Sequence, residues 1–318
     1  MRRSKSLVAP VLFRLFLILL VYLGAQPQKT FCQSEVIDVE IKSDFNRTRE
    51  PTVQSTECNE NDYKCQILQY TKEIESNPYI ADAYFHRGHA CNELGNFKAA
   101  IKDFTKVIEL SPADSDAYHN RAFAYDGLGR YEKAIKDYTK AIELNPSDSE
   151  HYYARAISYE DKKRFNRAIA DYTRAIELNP DYAEAYYNRG SLLDDKGKYY
   201  EAINDYTKAI SLNPADLFSY FNRGISFRKI GEYDEAIADY TKAIELDPLD
   251  ADSYFNRAIA NKYKGDYNQA IKDFSKSIEL NSTDAEAFEY RAINYEIIGE
   301  IEKAEADRKI ARELRQKP

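Results

Sequence analysis

Arginine and aspartate recur at matched positions seven times along this chain, always 16 residues apart. A guanidinium and a carboxylate at this spacing can form an ion pair between two helices or can act together in acid–base chemistry. Catalysis needs such a pair once rather than in seven copies, so the repetition favours charge compensation that fixes the register of neighbouring helices. A partly exposed pair is worth only about 0 to 1 kcal/mol. The arginines are Arg87, Arg121, Arg155, Arg189, Arg223, Arg257 and Arg291, and the aspartates run from Asp103 to Asp307.

Three histidines near the start of this pattern offer metal chemistry. His86, His89 and His119 are close in sequence, and Glu93 follows His89 by one helical turn. Imidazole and carboxylate groups bind transition metals, but helix spacing alone brings such residues together. We therefore predict no metal and no cofactor. The chain also lacks a phosphate loop, a nucleophile motif and an isolated carboxylate dyad, so we predict that it is not an enzyme.

The chain has four cysteines: Cys32, Cys58, Cys65 and Cys91. Cys58 and Cys65 are the best candidates for a disulfide. On one continuous helix they would lie ~10 Å apart, too far to bond, but a turn at residues 59–62 would bring them together. A disulfide and two unpaired thiols both stay open. Cys91 falls at a position that is expected to be buried, where it serves packing.

A period of 34 residues organises the chain. Proline recurs at positions 78, 112, 146, 180, 214 and 248, and seven units start at residue 81 and run to residue 318. With Ala81 as position 1, position 4 is aromatic in all seven units, position 20 is always alanine, and position 24 is aromatic in six. A stack of similar helical pairs explains this period, because each unit buries its apolar face against its neighbours.

This pattern resembles the tetratricopeptide repeat, a pair of antiparallel helices with large residues at positions 4, 11, 17 and 24, small ones at 8, 20 and 27, and proline at 32. The resemblance implies an all-α fold, a right-handed superhelical solenoid of helix–turn–helix repeats. The predicted repeats are 81–114, 115–148, 149–182, 183–216, 217–250, 251–284 and 285–318.

Turn residues set the expected ends of the two helices in each repeat. Helix A is expected over positions 2 to 14 and helix B over about 15 to 31. Glycine at position 15 ends helix A, since it adopts the left-handed conformation without steric cost, and proline at position 32 stops helix B. Lys163 replaces this glycine in the third repeat at a cost of roughly 1 kcal/mol, so that turn either adopts another geometry or is locally soft. The predicted N-caps are Asp114, Asp148, Asp216, Asp250 and Asp284.

Both ends of the repeat array are predicted to be capped. Residues 57–80 fit a half-repeat with a helix B but no helix A partner. At the other end, Arg308 and Arg312 replace the apolar residues of positions 24 and 28. These arginines make the last helix polar where no neighbour follows.

The N-terminal 25 residues are typical of a secretory signal peptide. Basic residues precede nine consecutive apolar residues, Leu15 to Leu23, and small residues precede a cleavage site after Ala25. An uncleaved membrane anchor is the alternative, and both place the repeats outside the cytoplasm. Residues 26–56 are expected to be a flexible linker. Cleavage removes four cationic residues and changes the formal charge from −8 to −12, which argues against a nucleic-acid partner.

A second face of helix A, away from the core face on a helical wheel, contains positions 5 and 9. These positions carry aromatic and aliphatic residues, and an exposed apolar strip predicts a partner surface; shielding by the next repeat is the alternative for position 9. The resemblance implies that this face lines the concave groove where family members bind ligands. Asparagines at position 6 resemble the ladders that hold peptide backbones in some relatives. The predicted groove residues are Phe85, His89, His119, Asn120, Phe123, Tyr153, Ile157, Tyr187, Asn188, Phe221, Asn222, Ile225, Arg228, Lys229, Phe255, Asn256 and Lys262.

Charges at positions 12 and 13 change sign along the repeats. The acidic residues are Asp126, Glu160, Asp161, Asp194 and Asp195, and the basic ones are Arg228, Lys229 and Lys262. A partner segment with basic residues at one end and acidic residues at the other would be steered into register by this pattern. A merely solvated charged surface is the alternative.

The sequence therefore predicts an exported scaffold or adaptor that binds an extended or helical segment of another protein. The alternative is a membrane-tethered accessory module that presents substrates to a separate enzyme. Homo-oligomer formation through exposed helix edges is left open. Membrane contact is expected only through the N-terminal segment, if it is not cleaved.

Overall fold

The computed structural model describes residues 58–59 and 61–316, so the predicted signal peptide and linker lie outside the described residues. The described residues form α1, Tyr63–Ser76, followed by a helix A and a helix B in each repeat. The helices A are α2 Ala81–Glu93, α4 Ser115–Gly127, α6 Ser149–Asp161, α8 Ala183–Asp195, α10 Leu217–Ile230, α12 Ala251–Lys264 and α14 Ala285–Ile297. The helices B are α3 Phe97–Leu110, α5 Tyr131–Leu144, α7 Phe165–Leu178, α9 Tyr199–Leu212, α11 Tyr233–Leu246, α13 Tyr267–Leu280 and α15 Ile301–Gln316.

The predicted all-α class of paired repeat helices is confirmed, since the described residues contain helices and no strand. They fall into two compact units, which meet in sequence between Asp137 and Tyr138. The core of the first unit includes Phe104, and the second has clusters around Tyr240 and around Phe274. Among the described helices, none has both the length and the apolar character needed to cross a membrane.

Helix B begins at position 17, two residues later than the sequence pattern predicts. The glycine at position 15 has φ between 68° and 92° in six repeats. A residue in this left-handed conformation cannot lie inside a right-handed helix, so helix B starts only after the chain has turned.

Lys163 keeps the same turn in the third repeat, with φ of 56°. Its N–H donates to the carbonyl of Glu160 at 2.7 Å, just as the N–H of Gly197 donates to Asp194 in the next repeat. Of the two predicted outcomes, a changed geometry is therefore wrong. The lysine accepts the left-handed conformation and its steric cost of roughly 1 kcal/mol.

Four of the five predicted N-cap aspartates accept a backbone N–H from the first turn of helix A, at 2.9–3.1 Å. Asp250 differs, because its carboxylate accepts the Ser253 hydroxyl at 2.6 Å and makes no cap bond to the backbone. Tyr182 stands at the equivalent position before α8, which lacks a side-chain cap. The four capping residues are Asp114, Asp148, Asp216 and Asp284.

Small residues at positions 8 and 20 let the helices of a repeat approach closely. The position 20 alanines are at most 1% exposed, as are the aromatic rings at position 24 in six repeats. A Cβ atom added at Gly224 would lie 2.9 Å from the Tyr240 ring. The aromatic ring thus fills the space that the missing side chain leaves, which explains the small residue at position 8.

The first described helix is held by a cystine and a cap. Cys58 and Cys65 form a disulfide with their Cα atoms 5.7 Å apart. Asp62 accepts the N–H of Cys65 at 3.0 Å and begins α1. The chain thus turns between the two cysteines, as a bond at this spacing requires. No side chain of α1 is fully buried.

The last helix, α15, carries the polar residues predicted for the end of the array. Arg308 pairs with Glu296 and lies 3.9 Å from the carboxylate of Glu289, which Arg315 also approaches at 3.6 Å. Arg312 is exposed. These charges occupy the face that carries apolar residues in the preceding helices B.

Candidate functional site

A bidentate arginine–aspartate pair joins the two helices of every repeat. In the fourth repeat, Arg189 donates from Nε to Asp205 Oδ2 at 2.8 Å and from Nη2 to Oδ1 at 2.7 Å. Its Nη1 donates to the Thr173 hydroxyl, on helix B of the preceding repeat, at 3.0 Å. The other six arginines make the same bonds, with Thr71, Thr105, Thr139, Thr207, Thr241 or Ser275 as the hydroxyl partner.

This arrangement confirms the predicted charge compensation and adds a link between successive repeats. The side chains of Arg189 and Asp205 are 19% and 7% exposed. Hydrogen bonds to Asp205 raise the pKa of Arg189 above its ordinary value, so the pair stays ionised. Three nitrogen atoms of the guanidinium bind the chain's own groups. The motif therefore fixes the positions of neighbouring helices and is not a catalytic site.

The predicted strip at position 5 is only partly exposed. Phe85, His119 and Tyr153 are half-buried, whereas the equivalent rings of repeats 4 to 6 are buried against the chain's own atoms. Each of those rings packs on the position 24 ring of its repeat, with centroids 5.5–5.9 Å apart. The expectation of an exposed surface is wrong for Tyr187, Phe221 and Phe255.

Position 9 shows the same division. The His89 side chain is 48% exposed, and Phe123 and Ile157 are half-buried. Ile225 and Ile259 are buried, at 5% and 6% exposed, so the shielding alternative holds there and the predicted contact at Ile225 is wrong. The accessible apolar surface of helix A therefore lies in repeats 1 to 3.

The position 6 asparagines bind the chain itself. Asn188 donates to the Tyr153 hydroxyl and Asn222 donates to the Tyr187 hydroxyl, both at 3.0 Å. The tyrosine in each case belongs to position 5 of the preceding repeat. Because Asn188 and Asn222 are buried, the prediction that they line an accessible peptide ladder is wrong.

Asn120 and Asn256 use a different partner for the same reason. The preceding position 5 residues are Phe85 and Phe221, which have no hydroxyl to accept a bond. Each asparagine instead donates to a backbone carbonyl four residues earlier in its own helix, at 2.9 Å. Asn256 is buried, which corrects its assignment to the groove, whereas Asn120 is half-buried.

Much of the predicted charge pattern is also satisfied internally. Asp194 is buried, accepts the Ser226 hydroxyl at 2.7 Å and pairs with Lys229 at 2.5 Å. Lys262 lies 5.1 Å from the centre of the Tyr290 ring. Lys229 is therefore not a free contact for a partner, which corrects the prediction. Arg228 and Lys262 keep part of their surface exposed.

Tyr182 is a contributor to this face that the sequence analysis missed. Its hydroxyl donates to Glu150 at 2.7 Å, and its ring centroid lies 4.6 Å from that of Tyr153. Burial raises the pKa of both Tyr182 and Glu150 above their ordinary values. The signal in the sequence is the tyrosine at position 34, where five other repeats have aspartate.

The histidines of the first two repeats make local contacts. His86 stacks on Tyr70 with ring centroids 5.2 Å apart, and His89 Nε2 lies 4.0 Å from Glu93. Cys91, at the same end of the chain, is a buried thiol. Burial raises the pKa of Cys91 to about 11, so the group is a packing element rather than a nucleophile.

Family models match most of the repeat region. The model described as tetratricopeptide repeat matches residues 81–114, 115–148, 183–216, 218–249 and 251–284. A further model with this description matches residues 137–170, and one described as TPR repeat matches residues 159–194. The third repeat, with its lysine turn, is thus matched only in shifted frames. A search of curated proteins finds no match.

Solved structures agree with the family. YrrB, described as a TPR protein with an unusual peptide-binding site, is 27% identical, with a TM-score of 0.55 over 58% of this chain and 95% of its own. The C-terminal part of a TPR repeat-containing protein from Cytophaga hutchinsonii is 26% identical, with a TM-score of 0.64 over 72% of this chain and 95% of its own. MamA from Desulfovibrio magneticus RS-1, 22% identical with a TM-score of 0.51 over 54% and 96%, shares the fold.

Proposed function

Because this chain belongs to the tetratricopeptide repeat family, we propose that it is a non-catalytic scaffold that binds a peptide segment of a partner protein on its helices A. The family and its structural neighbours support a protein-interaction scaffold. The relative YrrB has a peptide-binding site, which supports a peptide as the ligand here.

The division of the helix A face carries this proposal. Apolar side chains at positions 5 and 9 are covered in repeats 4 to 6 but keep accessible surface in the first repeats. Within the first unit, that surface consists of Phe85, His89, His119, Asn120 and Phe123. Water alone gives no reason to keep aromatic rings accessible in neighbouring repeats, whereas a partner side chain can bury them.

The charges beside these residues define the expected partner. Asp82 and Glu93 are exposed at the two ends of α2, on the helix that carries Phe85 and His89. A segment with an apolar or aromatic residue next to a lysine or arginine would match both the rings and the carboxylates. We therefore infer an apolar segment with basic flanks as the ligand class.

Selection of random peptides displayed on phage against the mature protein tests this function. The selected peptides should contain an aromatic or aliphatic residue beside a basic one. Phe123→Ser should weaken their binding about fivefold, since burying the exposed part of a ring is worth roughly 1 kcal/mol. His89→Ala should also weaken it, and thermal unfolding followed by circular dichroism shows whether each variant is folded.

Tyr200→Ser is the matched control, because Tyr200 is 72% exposed on helix B of the fourth repeat. This variant should bind the selected peptides as tightly as the wild type. Equal binding by folded Phe123→Ser and wild-type protein would place the ligand elsewhere, and enrichment of no peptide at all would argue against the function.

We also propose that the repeats act outside the cytoplasm. The N-terminal apolar segment and the disulfide between Cys58 and Cys65 support this location, because such bonds persist in oxidising compartments. Intact-mass measurement after expression in a secreting host should find a chain that starts at Gln26. A full-length chain in the membrane fraction would instead indicate the anchor, and a full-length chain in the cytosol would contradict export.

A further inference from the structure

A basic pocket of about 280 Å³ lies at the turn between helices A and B of the third repeat. Four of the six residues that line it are cationic, and none is acidic. The lining residues are Lys163, Arg164, Phe165, Asn166, Arg167 and Lys196. The chain as a whole carries a formal charge of −8, so this concentration of positive charge runs against its average.

The other repeats show that the fold does not require these cations. Position 15 is glycine in the six other repeats, and only the third accepts Lys163 in a left-handed conformation. Positions 16 and 19 are Arg164 and Arg167 in the third repeat but Glu232 and Glu235 in the fifth. The same turn therefore forms with acidic residues, and packing does not explain the basic ones.

The pocket also lacks an internal counter-charge for several of its cations. Within the described residues, neither Lys163 nor Lys196 has an ion-pair partner, and both are exposed. Arg167 lies over the Tyr159 ring at 5.6 Å. Like charges held close together repel one another, and this repulsion is relieved when an anion binds between them.

An apolar surface accompanies the charges. The Phe165 side chain in the pocket is 42% exposed, and Asn166 beside it offers an amide. A single inorganic anion would use the cations but would leave the ring in water. A peptide can contact the ring and the charges together.

We propose that this pocket is a second binding site, which takes an acidic segment of a protein partner. Carboxylates of the segment lie against Lys163, Arg167 and Lys196, and an apolar side chain covers Phe165. The pocket is at the turn of the repeat rather than on the face of helix A, so its occupancy does not depend on the peptide site proposed above.

Fluorescence anisotropy with the mature protein tests the site, with a labelled peptide of alternating glutamate and phenylalanine as the probe. Binding should occur at low salt and weaken as salt is added. The double variant Lys163→Gly with Lys196→Gln should weaken binding about fivefold. Lys163→Gly restores the residue that the other repeats use, so this substitution removes charge without threatening the fold.

The control variant Lys102→Gln with Lys272→Gln removes the same charge from exposed residues of α3 and α13 and should leave binding unchanged. An equal loss in both double variants would reduce the effect to net charge and overturn the proposal. Absence of salt-dependent binding would overturn it as well. Displacement of the peptide by inorganic phosphate at similar concentration, or tighter binding of a single-stranded oligonucleotide, would identify a different ligand class and reject the acidic peptide.

Discussion

Replacing Arg189 by methionine tests the role assigned to the repeated ion pairs. The substitution keeps an aliphatic stem of similar length but removes both hydrogen bonds to Asp205 and the one to Thr173. Asp205 is only 5% exposed, so its carboxylate is left buried without a counter-charge. Breaking a buried pair costs about 3–5 kcal/mol. Because the Arg189 side chain is 19% exposed and water can reach the site, we expect a loss near the lower end, about 3 kcal/mol.

Urea denaturation followed by circular dichroism measures this loss, and hydrogen exchange locates it. The exchange measurement is needed because repeat arrays can unfold in segments. Amides of α7 to α9 should lose protection first, since the removed bonds join these three helices. Lys208→Met is the matched control: Lys208 lies 3.8 Å from the exposed Asp181, and such a surface pair should contribute less than about 1 kcal/mol.

The double variant Arg189→Met with Asp205→Leu separates loss of the pair from exposure of an unpaired charge. It should recover most of the stability, because no buried carboxylate remains without a partner. If the single variant were as stable as the wild type, or the double variant as unstable as the single one, the ion pair would not be the link that we describe.

Three further predictions follow from individual residues. Lys163→Gly should raise the free energy of unfolding by about 1 kcal/mol, since it removes a left-handed lysine; an unchanged urea midpoint would contradict this. Because burial raises the pKa of Cys91 to about 11, iodoacetamide at mildly alkaline pH should leave Cys91 unmodified in the native protein and alkylate it after unfolding, as peptide mass spectrometry can show. Burial raises the pKa of Asp216 above its ordinary value of 3.8, so ionisation of this carboxyl lowers stability as the pH rises from that value through the raised pKa. Asp216→Asn keeps the cap and should therefore gain stability relative to the wild type over that range, whereas parallel pH profiles would contradict the assignment.

The sequence predicts the fold well because a 34-residue period repeats the same packing problem. Each copy of alanine at position 20 or of glycine at position 15 gives the same answer about helix contact or helix end. The later start of helix B was missed, since the pattern of apolar residues does not show where the left-handed residue lets the helix begin. Lys163 illustrates how strongly the repeat imposes its turn, because the left-handed conformation survives without glycine.

The candidate site was predicted less well because a helical wheel contains one helix only. It shows which residues point away from the core of their own repeat but not what the next repeat places over them. The link between Tyr153 and Asn188 joins residues 35 apart in sequence and becomes visible only when positions 5 and 6 of consecutive repeats are compared. The phenylalanines that precede Asn120 and Asn256 then explain why those two asparagines bond to their own helices.

The links between successive repeats make the chain tolerant of the loss of a whole period. Excision of residues 183–216 would bring Arg223 next to Thr173, which offers the same hydroxyl as its present partner Thr207. Asn222 would likewise meet Tyr153, which has the same phenolic group as Tyr187. Each broken contact would find an identical replacement, so genes of this kind can shorten or lengthen by duplication and deletion without passing through an unfolded product.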